Sequence, residues 1–404
     1  MFILEFPSNY QNNLEWMSFT TINEIETCPQ KWLLQNSNYP NTWDHKGYPK
    51  SITISRLEGE ILHVALKKIT TLFIENKCEN IYDEKAVFIL RKEGGYNKII
   101  SDCVKDVLAQ YKGNPRYEIK REPYLKLIKQ KIPEIKRLLN NYMFRFLFLA
   151  NNRKVSGCNW TKDKRNNRNP LGYGVYSELE VKSKGIKWRG RIDLLELSPE
   201  VCAIVDYKTG AYSPKHEEQI KIYSMLWYED EDLNPSKNVA NKLVLAYAEN
   251  NTEIAAPDES ELMNIKVKIK NRTNEVIERL KNVHGKVSPS VDKCAHCDVR
   301  HLCNDYWYWQ NTEEAEDRKV YDVQAKIIRE ESIGTWLGIV ESSNHLPIGK
   351  EVFICNIKQK IDIQTIDYVR MLDVYIQRKE DNPYNGVCLI NLGLNSEIYV
   401  MPKI

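Results

Sequence analysis

Apolar positions recur at two different periods along the chain, and the change of period divides it. The run RLEGEILHVALKKITTLFIE places Leu57, Ile61, Val64, Leu66 and Leu72 at helical spacing, so it predicts an amphipathic helix with His63 among its apolar residues. Upstream, SFTTINEIETCPQKWLLQ also reads as helix, with Thr21 and Glu24 spaced as a capping box and Ile22, Ile25 and Trp32 as its stripe. Pro29, directly after Cys28, either kinks that helix or begins a second one. Residues 80 to about 155 keep the helical period and are rich in lysine and arginine, as in YLKLIKQKIPEIKRLLNNYMFRFLF. Such helices are usually solvated surfaces. Lining a groove, they would track a phosphate backbone while Tyr124, Tyr142 and Phe144 offer faces for base stacking. Residues 151–170, NNRKVSGCNWTKDKRNNRNP, have no apolar period and predict an exposed basic loop.

The period then shortens to two. YSELEVK alternates around Leu179 and Val181, and IKWRGRIDLLEL and VCAIVDYK read as two further strands. SPKHEEQIKIYSMLWYED predicts a helix with Ser213 as N-cap and Pro214 at its first position, and LVLAYAEN another strand. With the His63 helix in front, the order is αβββαβ. After a long basic helix, ELMNIKVKIKNRTNEVIERLKNV, the character changes again. KVYDVQAKIIRE, TWLGIVES, EVFICNIKQ, DYVRMLDVYIQRKE and SEIYVMPKI predict five short strands and a small, OB-like β-barrel over residues 318–404.

Composition narrows the class rather than the function. With 404 residues, 42% hydrophobic and 28% charged, the chain has material for two or three globular domains. The net charge of +3 neither demands nor excludes nucleic acid, because binding depends on where the cations cluster. MFILEFPSNY lacks the basic start and apolar core of a secretory signal, and the most apolar helical piece, Tyr142 to Ala150, is short and carries Arg145. These features predict a cytoplasmic protein without a membrane segment. Ten cysteines in such a chain then point to buried thiols or metal ligands rather than disulfides.

The stretch Gly190 to Gly210, GRIDLLELSPEVCAIVDYKTG, concentrates the chemistry. Asp193 would lie on one arm of a hairpin, and Asp206 and Lys208, two apart on the next strand, would share a face. Paired carboxylates suit Mg²⁺ or Mn²⁺, and a nearby lysine can neutralise a phosphate or activate a water. Solvated charges on an edge hairpin are the ordinary reading of such residues, but Val201 to Val205 is wholly apolar, so the pair sits at the end of a buried strand. On the following helix Gln219 and Tyr223 are four apart and stack on one face, its first turns lying beside that strand end. A lone histidine such as His63, or a lone cysteine such as Cys28, reads by itself as a core residue.

Cys294, Cys297 and Cys303 stand together in CAHCDVRHLC. Three thiolates need a fourth ligand: His296 or His301 would make a zinc knuckle, and a distant cysteine an iron–sulfur site, with zinc ahead on spacing alone.

Taken jointly, GEILH, GRID, DYKTG, the Gln219–Tyr223 pair and the cysteines make the chain resemble the PD-(D/E)XK nuclease superfamily. Within it the likeness is to the RecB-type branch, with its iron–sulfur exonucleases of CRISPR adaptation and AddB-type repair nucleases. It spans about residues 18 to 310. The resemblance implies an α/β, restriction-endonuclease-like αβββαβ core with a helical insertion. It divides the chain into an N-terminal segment with a cluster cysteine (1–54), a helical region (55–170), the nuclease core (171–255), a basic helix with the cysteine motif (256–312) and the OB-like domain (318–404). It implies His63, Asp193 and Asp206 as ligands of Mg²⁺ or Mn²⁺, the backbone carbonyl of Tyr207 as a further ligand, Lys208 as the catalytic lysine, and Gln219 and Tyr223 as the QxxxY pair that orients substrate. An acidic ligand is also implied on the first strand, where Glu178 and Glu180 alternate onto one face and the sequence does not choose between them. Cys28 would join Cys294, Cys297 and Cys303 around a 4Fe-4S cluster, displacing zinc, and so close a long loop of chain. The implied activity is a metal-dependent deoxyribonuclease, an exonuclease on single-stranded or free-ended DNA, working in repair or antiviral defence. No GxxxxGK[ST] motif occurs, so unwinding would fall to a helicase partner, and an integrase is the other expected associate. The alternative is a cluster-stabilised DNA-binding or assembly subunit with little catalysis.

Overall fold

Strand β1 (Phe2–Ile3) precedes helices α1 (Phe19–Thr27) and α2 (Pro29–Asn36). Helices α3 (Ile54–Glu75), α4 (Glu84–Lys92), α5 (Gly95–Gln110), α6 (Pro115–Glu118) and α7 (Arg121–Phe144) follow. Next come β2 (Gly174–Ser183), β3 (Trp188–Leu197), β4 (Cys202–Lys208), α8 (Pro214–Glu229), β5 (Lys242–Tyr247), β6 (Asn251–Ile254) and α9 (Glu259–Lys281). Short helices α10 (Val291–Cys294) and α11 (Asn304–Gln310) flank a 3-10 turn at Arg300–Leu302. The last strands are β7 (Tyr321–Ser332), β8 (Thr335–Ser342), β9 (Glu351–Cys355), β10 (Ile366–Gln377), β11 (Cys388–Asn391) and β12 (Glu397–Pro402). This computed structural model describes residues 1–7, 9–10, 14–43, 47–78, 81–144, 168–282, 288–312, 318–357, 366–377 and 387–402. Most of the basic loop expected over 151–170 therefore lies outside the described residues. Among the described residues no helix is long and apolar enough to cross a membrane.

The chain forms two compact units. One comprises Asn13–Asn23 and Ile52–Ile277. Its sheet runs β2-β3-β4-β5-β6, antiparallel except where β4 and β5 pair in parallel with α8 as the crossover. The αβββαβ order is present, and β6 adds an antiparallel edge. Apolar residues of α3, α5 and α7 form one core with Val175, Leu194, Tyr207 and Ala246 of the sheet. Helix α8 packs against β2, β3, β4 and β5, with Ile220, Met225 and Leu226 fully buried. Thr53 caps α3 by accepting from the Arg56 N–H, so the helix carrying His63 starts where the periodicity begins.

The other unit comprises Met1–Asn12, Glu24–Ser51 and Glu278–Ile404. Here β7, β8, β9, β11 and β10 close into a five-stranded barrel, β10 pairing back on β7 and β9 running parallel to β11. The five strands expected from sequence differ from this ring in one member. Cys388–Asn391 is the closing strand, whereas Glu397–Pro402 pairs on the first half of β10 and carries β1 at its far edge. Four residues are too few to show an alternation, so β11 has no signature in sequence.

Near the N-terminus, Ser18 rather than a Thr21–Glu24 box caps α1, its Oγ accepting from the Thr21 N–H at 3.2 Å. Pro29 begins a separate helix whose N-cap is Cys28, the thiol accepting from the Lys31 N–H at 3.4 Å.

Candidate active site

Strand β4 ends in the sequence Asp206-Tyr207-Lys208, and its end is pinned from both sides. Tyr142 of α7 donates its hydroxyl to the Lys208 carbonyl at 2.6 Å, and the Tyr207 N–H donates to Asp193 Oδ2 at 2.7 Å. That second bond occupies one oxygen of Asp193. The other, Oδ1, lies 3.4 Å from His63 Nε2, while His63 Nδ1 lies 3.7 Å from Glu178 Oε1. His63, Glu178 and Asp193 thus offer ligand atoms within 4.8 Å of one another, a set of one imidazole nitrogen and two carboxylate oxygens that fits a divalent cation.

Of the two glutamates between which the sequence does not choose, Glu178 is the one that stands beside His63 and Asp193. Its φ of 54° is left-handed, a conformation that breaks the alternation of β2. Glu178 faces His63, Lys67 and Arg191, whereas Glu180 pairs with Lys182. A non-glycine residue held in the left-handed region inside a strand stores backbone strain, as residues at functional sites often do.

Asp206 and Lys208 form an ion pair beside this set, both nearly buried. The Lys208 ammonium also donates to Gln219 Oε1 at 2.6 Å, and the Gln219 amide donates to the Tyr223 hydroxyl at 2.7 Å. The four side chains therefore form a relay from strand to helix α8, in which each partner fixes the rotamer of the next. Burial and the neighbouring Asp193 push the Asp206 carboxyl up to about 6, against the pull of Lys208 and His63. The Asp193 hydrogen bond raises the His63 imidazole above its ordinary value, despite burial. Two carboxylates this close favour a bound cation, which would relieve their repulsion without a proton.

Gly190 explains why the strand can meet α8 so closely. A Cβ there would lie 2.7 Å from Tyr223 Cε1 and 3.0 Å from Leu226 Cδ1. Gly190→Ala is accordingly expected to destabilise the protein by about 1–3 kcal/mol and to displace Tyr223. Urea denaturation measures the first; an unchanged midpoint means that α8 yields freely.

In the other unit, Cys28, Cys294, Cys297 and Cys303 line one cavity together with Lys31, Lys293 and Arg300. Burial pushes the Cys297 thiol up to about 11 and Cys303 up to about 12. Four sulfurs around one buried space, with cations beside them, form a donor set suited to an iron–sulfur cluster or zinc, either of which would hold the sulfurs as thiolates. His301, a competitor for this site in sequence, instead stacks on Tyr399 with ring centroids 3.7 Å apart.

Comparison with known proteins places these features. Two solved structures illustrate how little overall superposition contributes. That described as "Crystal structure of SSO0001" is 20% identical with a TM-score of 0.19, covering 32% of this chain and 60% of that one, so the match spans less than two thirds of its length. "Structure of murine DNA binding protein bound with ds DNA" is 9% identical with a TM-score of 0.16, covering 57% of this chain and 96% of that one. Nothing among curated proteins matches. The sequence model of the PD-(D/E)XK nuclease superfamily, however, matches residues 16–304, and so takes in His63, the β3–β4 hairpin, α8 and the cysteine motif. The chain belongs to the PD-(D/E)XK nuclease superfamily.

Proposed function

We propose that the protein is a Mg²⁺- or Mn²⁺-dependent deoxyribonuclease, an exonuclease of the RecB type acting on single-stranded or free-ended DNA. The observation that carries this reading is the convergence of His63, Glu178 and Asp193 beside the Asp206–Lys208–Gln219–Tyr223 relay. His63, Glu178, Asp193 and Asp206 would hold the cation, with the Tyr207 carbonyl as a further ligand. Once bound, the cation would supply Lewis-acid polarisation of the scissile phosphate and a water of lowered pKa. Asp193 divides its labour, Oδ2 fixing the backbone of β4 and Oδ1 remaining for the site. Lys208, steered by Asp206 and Gln219, keeps its ammonium in place to orient the attacking water or neutralise charge gathering on phosphorus. Tyr223, wedged against Gly190, sets the orientation of the Gln219 amide.

The cysteine cavity is read as a 4Fe-4S site with a structural role, zinc being the other occupant that its donors suit. The closed barrel, with its parallel β9–β11 pair, is read as OB-like. A helicase or integrase partner and a role in repair or antiviral defence complete the proposal. End-labelled single- and double-stranded DNA incubated with purified protein and Mg²⁺ or Mn²⁺ tests the activity. Tight binding without cleavage under any divalent ion would favour an assembly subunit instead.

Proton competition gives a second test. His63 and Asp206 hold their protons above their usual ranges and must release them on metal binding. Mn²⁺ affinity measured by calorimetry should therefore climb between pH 5 and pH 7.5, by up to about tenfold per unit for each proton displaced. A flat profile would remove these two side chains from the ligand set.

A further inference from the structure

Arg370 of β10 is 5% exposed, yet among the described residues no carboxylate pairs with it. Its donors are spent on neutral acceptors: Nε on Gln324 Oε1 at 2.9 Å, Nη1 on the His301 carbonyl at 2.6 Å and Nη2 on Asn304 Oδ1 at 2.8 Å. The rings of Phe6, Trp307 and Tyr368 surround the guanidinium. Arg300, equally buried, is handled quite differently, with Asp322 and Asp373 both bound to its fork. A buried cation without an anion is costly, and hydrogen bonds to neutral groups meet its geometry but not its charge. The residues that Arg370 grips, His301 and Asn304, stand on either side of Cys303. Burial pushes the guanidinium down to about 10, still well above physiological pH.

We infer that Arg370 is the counter-ion of an anionic metal–thiolate group held by Cys28, Cys294, Cys297 and Cys303, which it serves through its bonds to His301 and Asn304 around Cys303. This rests on the proposed cysteine-bound group. Four thiolates outweigh the positive charge of either an iron–sulfur core or Zn²⁺, so the group is anionic whichever metal it contains. Lys31 and Lys293 line the same cavity, and Arg300 there is already neutralised by its two aspartates. Arg370 thus supplies from the barrel a fixed positive charge that survives at any physiological pH. It is a positioning residue, acting on the group's charge and on the backbone around Cys303.

The test uses the full chain, purified without oxygen, with iron, acid-labile sulfide and zinc measured for wild type, Arg370→Gln, Arg370→Met and Arg370→Lys. With iron present, the neutral variants are expected to show a more negative midpoint potential in a spectroelectrochemical titration, and Arg370→Lys a potential near wild type. With either metal, a chelator should strip the neutral variants at least tenfold faster than Arg370→Lys. Neutral variants that fail to fold while Arg370→Lys folds and keeps its metal also support a requirement for charge. Wild type without any metal overturns the cysteine reading and this inference with it. A metal-loaded wild type whose potential and release rate are matched by Arg370→Gln, or a lysine variant shifted as far as the neutral ones, overturns the role of Arg370 alone.

Discussion

Asp206→Asn is expected to lower metal-dependent DNA cleavage by about a thousandfold or more while making the metal-free protein more stable. Both effects follow from one carboxylate. Asp206 is 3% exposed, lies near Asp193 and forms the ion pair that steers Lys208. An amide keeps the shape but loses the charge that would hold a cation, and it weakens the grip on the ammonium. The stability effect has a definite sign. The folded carboxyl is pushed up to about 6 against an unfolded value near 4, so the native state binds the proton more tightly than the unfolded chain. Stability from this group is therefore highest at low pH and is lost as pH rises from about 4 through about 6, a loss of about 3 kcal/mol at neutral pH. The asparagine variant escapes that loss, so its melting temperature should exceed wild type at pH 8 and approach it at pH 4, in the absence of divalent ions. Equal cleavage by the two proteins would remove Asp206 from the catalytic set. An identical pH profile of melting would show that the site already relieves the charge by other means.

The same residues show which parts of the fold are written locally. The αβββαβ order follows from changes of hydrophobic period, and Pro214 and Pro29 mark true helix starts because a missing N–H costs nothing there. Periodicity could place Asp206 and Lys208 on one face, since two-residue spacing settles that. It could not show that Glu178 rather than Glu180 lies beside His63, because that placement depends on a left-handed backbone at Glu178 within an otherwise regular strand. Gly190 likewise looks arbitrary in GRID until Tyr223 occupies the space a side chain would need. The barrel is closed by a four-residue strand too short to announce itself. Arg370 carries no motif at all, and its isolation from carboxylates among the described residues is a property of the packed chain. Local sequence thus encodes elements and spacing, whereas the selection among equivalent acidic or basic residues is tertiary.

If the cysteine cavity holds the proposed metal, Cys28→Ser is expected to release it, to lower the melting temperature and to cost on the order of 5 kcal/mol of stability, the value for one metal-mediated crosslink closing a loop of roughly 270 residues. Serine makes this substitution unusually discriminating. Cys28 is the N-cap of α2, accepting from the Lys31 N–H, and serine is among the best N-caps, so the helix start should be preserved or improved. A large loss would then come from a metal bound by the sulfur. Cys294, Cys297 and Cys303 lie on a rigid turn whose Arg300 is locked by Asp322 and Asp373, and they will not collapse to replace the missing ligand. Cys103→Ser serves as the control, a fully buried thiol in the core of the other unit whose replacement costs local packing but no metal. Metal content, colour and calorimetric melting of the three proteins decide the matter. If Cys28→Ser keeps its metal and melts with wild type, the N-terminal segment is held by packing alone, and the three downstream cysteines bind without it.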